Sequence, residues 1–246
     1  MRTVIVVPCY NEAERLPAED FLHFVAGWSG RFLFVDDGSR DETRARLATL
    51  VARQPGSLSL LALDENRGKA EAVRAGFLQA FADGAEAVGF WDADLATPLP
   101  VIPRFEALLA AEATLDIVMG ARVRLLGNAV ERDARRHYLG RGFATVVSWM
   151  LATPVYDTQC GAKLFRATPA IQQIFTSPFL SRWVFDVEVL ARYLDIRAAA
   201  GADGRLGIRE VPLDRWHDVA GSKVRSQDFV RAAVDLARIA HARRRL

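Results

Sequence analysis

Apolar positions switch between two spacings along the first 122 residues. Largely apolar runs at 3–8, 32–36, 58–63, 87–91 and 116–120 predict five strands buried on both faces. Between them, 18–28, 41–53, 69–82 and 101–112 carry apolar residues at helical spacing. Ser39 or Asp41 is placed to cap the second helix, and Pro100 and Pro103 suit the start of the fourth. Strand–helix alternation with short connections predicts an α/β fold, a mostly parallel doubly wound sheet with helices on both faces. Ligands of such sheets bind outside the carboxyl ends of the strands.

The second half is less regular. Residues 133–151 predict an amphipathic helix with Leu139, Phe143, Val146, Val147 and Met150 along one face. Residues 163–165 and 207–213 read as strands, and 184–194 as a helix. A last helix spans 226–244, with Phe229, Ala233, Leu236, Ala237 and Ala240 as its expected buried stripe. No repeat or linker interrupts the chain, so 1–246 reads as one domain. The regular pattern covers 1–122 and the less regular one 123–246.

Composition narrows the class without naming it. A chain of 246 residues is long enough to bury a core without disulfide staples. The 32 basic and 30 acidic residues nearly cancel, which argues against a nucleic-acid binder. Cys9 and Cys160 lack any metal-ligand spacing and read as reduced thiols of a cytosolic protein. No signal peptide is expected at the start, and no apolar run approaches the ~18–20 residues of a membrane span.

Four predicted strand ends are polar: Pro8-Cys9-Tyr10-Asn11-Glu12, Asp36-Asp37-Gly38-Ser39, Glu65-Asn66-Arg67-Gly68-Lys69 and Asp92-Ala93-Asp94. Any one suits an ordinary turn or helix cap. Four at one sheet edge point to a nucleotide site. Two carboxylates as close as Asp92 and Asp94 repel unless a cation or proton lies between them. A hard ion such as Mg²⁺ or Mn²⁺ takes oxygen ligands and shares its shell with a diphosphate.

In order and spacing, VVPCYNEAERL, FVDDGSRDET, ENRGKAEAVRAGF and FWDADLATP resemble the family 2 glycosyltransferases. IVMGAR, DTQCGAKLFR, RWVFDVEVL and VPLDRWHDVAGSKV narrow the resemblance to the polyprenyl-phosphate sugar transferases, nearest the dolichyl-phosphate glucosyltransferase branch. The resemblance implies the glycosyltransferase-A fold. It implies inverting transfer of a hexose from a nucleotide-sugar donor, UDP-glucose first, to a polyprenyl-phosphate acceptor. GDP-mannose as donor, a soluble acceptor, or a non-catalytic nucleotide-sugar-binding scaffold are the alternatives.

By position, the resemblance makes 1–122 the nucleotide-sugar-binding half and 123–246 the acceptor-side half, and places Pro8, Tyr10, Glu12 and Asp37 in the nucleoside pocket. Tyr10 either stacks on the base or caps the sheet edge. Lys69 approaches the diphosphate or is a helix-surface lysine. Asp92, Ala93 and Asp94 form the metal motif, with Asp94 the more direct ligand. Relatives with mannose as substrate often carry a metal-reaching Gln two residues on, where this chain has Ala96. Arg122 corresponds to a phosphate-binding arginine, with Arg135 and Arg136 as further contacts to the acceptor phosphate. A guanidinium fork suits phosphate oxygens. Asp157 is the candidate base or sugar-orienting group, Gln159 its neighbour at the acceptor. His217 and Lys223 belong to a loop that closes over the diphosphate. The RWVFDVE element, Arg182 to Glu188, is expected to order the wall of the site.

A polyprenyl acceptor lies in a bilayer, yet no membrane span is expected here. The resemblance therefore implies a cytoplasmic protein in peripheral contact with the cytoplasmic face of a membrane, or with a membrane partner. The arginines of 132–141 and the basic last helix would meet anionic headgroups.

Overall fold

The computed structural model describes residues 1–130, 134–217 and 226–243, with backbone alone for 134–139 and 226–230. Its centre is a seven-stranded sheet in the order β3-β2-β1-β4-β7-β5-β8. The strands are β1 (Thr3–Cys9), β2 (Arg31–Asp36), β3 (Leu58–Ala62), β4 (Ala87–Trp91), β5 (Ile117–Ala121), β7 (Ala162–Arg166) and β8 (Ile208–Pro212). All neighbours pair in parallel except β7, which runs antiparallel between β4 and β5. A separate parallel pair joins β6 (Ala129–Val130) to β9 (Arg215–Trp216).

The inner strands β1, β4 and β5 are apolar on both faces because both faces are covered, whereas the edge strands β3 and β8 are only partly buried, so the two buried faces expected at 58–63 are not found there. Val4, Val6, Phe90 and Phe165 point to one layer, with α3 (Lys69–Ala82), α6 (Pro169–Thr176) and α7 (Phe185–Ala199). Ile5, Val7, Phe32 and Phe34 point to the other, with α1 (Ala18–Val25), α2 (Thr43–Arg53) and α4 (Val101–Ala111). The first layer holds a chain of rings. Phe77 stacks on Phe175 with centroids 4.1 Å apart and meets Phe165 edge-on at 5.4 Å. The second layer has its own cluster, with Phe21 edge-on to Phe32 and Phe34 at 5.1 and 5.0 Å.

The predicted elements stand, with local differences. Helix α1 stops at Val25, and Trp28 folds back to donate its indole N–H to Glu106 at 3.0 Å. Asp41 serves α2 by accepting from the Thr43 amide at 3.0 Å, so no acidic residue falls inside the first turn. In α5 (Ala134–Leu151) the inward stripe is Ala144, Val147 and Leu151, while Val146 faces outward. In α8 (Ser226–Arg243) the inward positions are Ala232, Leu236 and Ile239, so Ala233 and Ala237 do not belong to the stripe. Arg243 fixes that register by pairing with Asp195 at 2.7 Å and donating to the Met150 carbonyl at 2.9 Å. Phe229 and Leu139 lie outside the described side chains. Helix α6 was not anticipated. Its signal is Thr168 followed by Pro169, a side-chain cap with proline at the first helical position. Cys9 and Cys160 are buried thiols.

Candidate active site

The site is built where parallel strands end and one antiparallel strand begins. Trp91, the last residue of β4, pairs with Ala162, the first of β7. The next residues on each side therefore meet, and the Asp92 amide donates to the Gly161 carbonyl at 3.0 Å. This reversal brings the DTQCG segment of the second half to the Asp92-Ala93-Asp94 turn. The approach requires glycine. A Cβ on Gly161 would stand 1.7 Å from Asp92 Oδ2. Leu95 turns the chain away at φ +52°, and Asp94 Oδ1 accepts from the Ala96 amide at 3.1 Å.

The two aspartates are not equivalent. Lys69, at the first turn of α3, donates from Nζ to Asp92 Oδ1 at 2.5 Å. Desolvation alone would lower the Lys69 ammonium. The charges of Asp92, Asp186 and Asp94 outweigh it and hold the group above its ordinary value. Burial pushes the Asp94 carboxyl up, the nearby Asp92 charge adds to this, and the Ala96 amide and Lys69 oppose it. Lys69 thus neutralises part of a carboxylate pair that would otherwise repel.

The neighbouring strand ends are laced into one rim. Asp37 accepts from the Arg67 and Gly68 amides, each at 2.8 Å, and burial raises its carboxyl against their pull. Asp36, fully buried, accepts from Arg44 Nε at 2.7 Å and the Ser39 amide at 3.1 Å, so it braces the turn. Arg182 donates to the Arg67 carbonyl at 2.9 Å and to the Asn66 carbonyl and side chain at 3.1 and 3.0 Å. Gly68 lies at φ +95° between these clamps, and a Cβ there would come 2.7 Å from Arg182 Nε. Pro8 pairs with Val35 near the end of β1, and Tyr10 follows that strand. Glu12 binds Arg15 at 2.8 Å, its amide donates to Thr43 Oγ1 at 2.8 Å, and its charge helps raise Asp94. The nucleoside-side candidates therefore border the metal motif.

Arg122 follows β5 and meets Asp157 as a two-pronged pair, Nε to Oδ2 at 2.6 Å and Nη2 to Oδ1 at 2.8 Å. The guanidinium also lies 5.3 Å from the Trp216 ring. Burial opposes its charge, but Asp157 dominates and holds the Arg122 guanidinium above its ordinary value. Glu210 on β8 accepts the Asp157 and Tyr156 amides at 2.8 and 2.7 Å and fixes the DTQCG turn from behind. The Gln159 amide caps Asp157 Oδ1 at 3.2 Å, and its buried Nε2 has no hydrogen-bond partner among the described residues. Burial pushes the Cys160 thiol up to about 11, so it is no nucleophile at neutral pH. The His217 amide donates to the Ala96 carbonyl at 3.3 Å, which puts this residue beside the metal turn. The Arg135 and Arg136 side chains and Lys223 lie outside the described residues.

One constituent escaped the sequence reading. Lys163, on β7, is 1% exposed and donates to Asp186 Oδ1 at 2.5 Å and to the Cys160 carbonyl at 2.6 Å. A lysine set between Ala162 and Leu164, at a position that must face a covered sheet, was the available signal, since an unpaired buried ammonium is costly.

Residues 4–172 match the glycosyl transferase family 2 model, and the chain belongs to this family. Within it, the chain is 37% identical over 237 residues to a Drosophila melanogaster dolichyl-phosphate beta-glucosyltransferase, covering 89% of this chain and 68% of that one. It is 33% identical over 250 residues to the Dictyostelium discoideum protein of that name, covering 96% and 72%. Among solved structures, Mycobacterium tuberculosis glucosyl-3-phosphoglycerate synthase with Mn²⁺ and UDP-glucose superposes with a TM-score of 0.69. That pair is 18% identical, with 98% of this chain and 78% of that chain covered, and shares the glycosyltransferase-A fold.

The residues present fit a divalent cation of a particular kind. No group of three or more His, Cys, Asp or Glu side chains among the described residues surrounds a common point. Among the described residues, Asp92 and Asp94 offer carboxylate oxygens at the turn, with a lysine ammonium already balancing one of them. Such a set suits a hard ion whose remaining ligands come from a diphosphate and water.

Proposed function

We propose that this chain transfers glucose from UDP-glucose to a polyprenyl phosphate, with inversion at the anomeric carbon. The observation that carries the reading is the end of β4. There Asp92 and Asp94 stand beside Lys69, on the edge where the nucleoside-side strand ends converge. Asp92 and Asp94 would hold Mg²⁺ or Mn²⁺, which supplies charge stabilisation to the departing diphosphate. Lys69 adds a second positive charge on that side. Asp37, with Pro8, Tyr10 and Glu12, is assigned to the nucleoside end, and His217, beside the metal turn, to the diphosphate side, where the resemblance also assigns Lys223.

The acceptor's own chemistry lightens the demand for a base. A phosphate monoester is largely anionic at neutral pH, so no alcohol proton has to be removed. Asp157 is accordingly assigned to hold the Arg122 fork in one orientation, and Arg122 to meet the acceptor phosphate. Gln159, beside them, faces the same substrate. Positioning of this kind supplies much of the rate in displacement reactions.

Peripheral membrane contact is part of this reading. None of the described helices is long and apolar enough to cross a membrane. Residues 122–152 carry six arginines against two acids. Leu126 is fully exposed and Trp149 is 90% exposed in this segment, which starts at Arg122 itself. Basic charge with a protruding tryptophan is the pattern of an interfacial surface. Flotation with anionic liposomes at low salt tests it, and protein that stays in the dense fraction contradicts it.

The reaction is tested by incubating the protein with labelled UDP-glucose, Mn²⁺ and a polyprenyl phosphate, then extracting the lipid. Label in the lipid phase, lost with Asp94→Ala, is the expected result. Label only from GDP-mannose, or only on a water-soluble acceptor, would replace the proposed substrates. Binding without transfer would leave a scaffold.

A further inference from the structure

Two lysines share one aromatic ring behind the metal turn. Phe90 on β4 has Lys69 Nζ 5.6 Å and Lys163 Nζ 4.9 Å from its centroid. Lys163 pairs directly with Phe90 across the antiparallel β4–β7 ladder. The two ammonium groups meet different surroundings. Lys69 and its partner Asp92 are about one-third exposed, at 33% and 38%, whereas Lys163 and Asp186 are at 1% and 6%. Asp186 lies in the first turn of α7, where the helix dipole favours a negative charge.

Charges therefore alternate from the substrate edge inward: Asp92, Lys69, Asp186, Lys163. The inner end is anchored twice. Lys163 holds the Cys160 carbonyl at 2.6 Å, and the next residue, Gly161, is the one on which Asp92 rests. A buried pair like Lys163–Asp186 is poor value as a stabiliser, because desolvation offsets its attraction, and apolar replacements are often as stable. Its location explains it better.

We propose that Lys163 and Asp186 are positioning residues for the donor diphosphate, an inference that rests on the donor reading above. Asp186, paired with the lysine that shares the Phe90 ring with Lys69, supplies a second carboxylate behind Lys69. When Asp92 turns to a cation, Asp186 keeps the Lys69 ammonium in the site instead of releasing it to solvent. Lys163 neutralises Asp186 and fixes the Cys160-Gly161 turn that seats Asp92.

The test is a mutant cycle on UDP affinity, read by titration calorimetry with Mn²⁺ and again in EDTA, so that turnover is not involved. Lys163→Met/Asp186→Leu removes the pair without leaving a lone buried charge. This variant is expected to fold, with a melting temperature within a few degrees of the native protein, and to bind UDP about tenfold more weakly with Mn²⁺. Lys69→Met is expected to weaken UDP about tenfold in the native background and less than about twofold in the pair-replaced one. In EDTA the two Lys69 steps are likewise expected to differ. Additive effects, or native-like UDP affinity in the pair-replaced protein, would overturn the proposal. So would failure of that variant to fold, which would assign the pair to the fold itself. Native protein that binds no UDP with Mn²⁺ would overturn the donor reading, and the pair's role with it.

Discussion

Two ion pairs flank the DTQCG turn, and they are built for opposite purposes. Lys69–Asp92 is a single contact between half-open side chains, on a flexible stem. Arg122–Asp157 is a bidentate pair, 14% and 6% exposed, backed by Glu210 and lying near Trp216. The first can exchange partners at low cost, as a group that receives a metal diphosphate must. The second is held rigid, as a group that orients an acceptor must be. Under the proposed function, nearly the same charges on either side of this turn divide the donor side from the acceptor side.

The largest expected effect tests the donor side. Asp94→Ala should lower transfer at least about 10³-fold, roughly 4 kcal/mol of transition-state stabilisation, with an unchanged circular dichroism spectrum. Retained transfer would erase the distinction between the pairs. Next in size is Asp157→Asn. It leaves the buried Arg122 without its counter-charge and should cost about 3–5 kcal/mol of stability in urea unfolding. A loss below about 1 kcal/mol would show that pair to be as loose as the other. Phe77→Ala, in the ring stack under α3, should cost about 3–5 kcal/mol as well, while native levels of UDP binding per folded molecule persist. Smallest in stability is Lys69→Met, expected within about 1 kcal/mol of the native protein because its pair is partly solvated. Its donor KM should nevertheless rise about tenfold, and a rise in acceptor KM instead would put Lys69 on the wrong side.

The same division governs what the sequence discloses. The parallel half announces itself. β1, β2 and β4 are apolar runs buried on both faces, the edge strand β3 is only partly buried, and Asp37, Lys69 and Asp92–Asp94 lie on the segments that leave these strands. Hydrophobic spacing alone aligned these ends on one edge. The acceptor half depends on a reversal that spacing does not record. Only the antiparallel register of β7 brings Gly161 to Asp92, and Asp157 is engaged by Arg122 from 35 residues away. Lys163 was hidden for a related reason: its partner Asp186 is 23 residues on, in another element. The outward turn of Val146 and Ala233 was also illegible, because small and β-branched residues sit as readily on the exposed side of an amphipathic helix as on the inner side.

The account stands most directly on the anomeric configuration of the lipid product. Native protein supplied with UDP-glucose, whose glucosyl bond is α, Mn²⁺ and a polyprenyl phosphate should yield a β-linked glucosyl phosphate, read from the anomeric proton coupling in the NMR spectrum of the extracted lipid. An α-linked product, or UDP release with no glucose in the lipid, would contradict it.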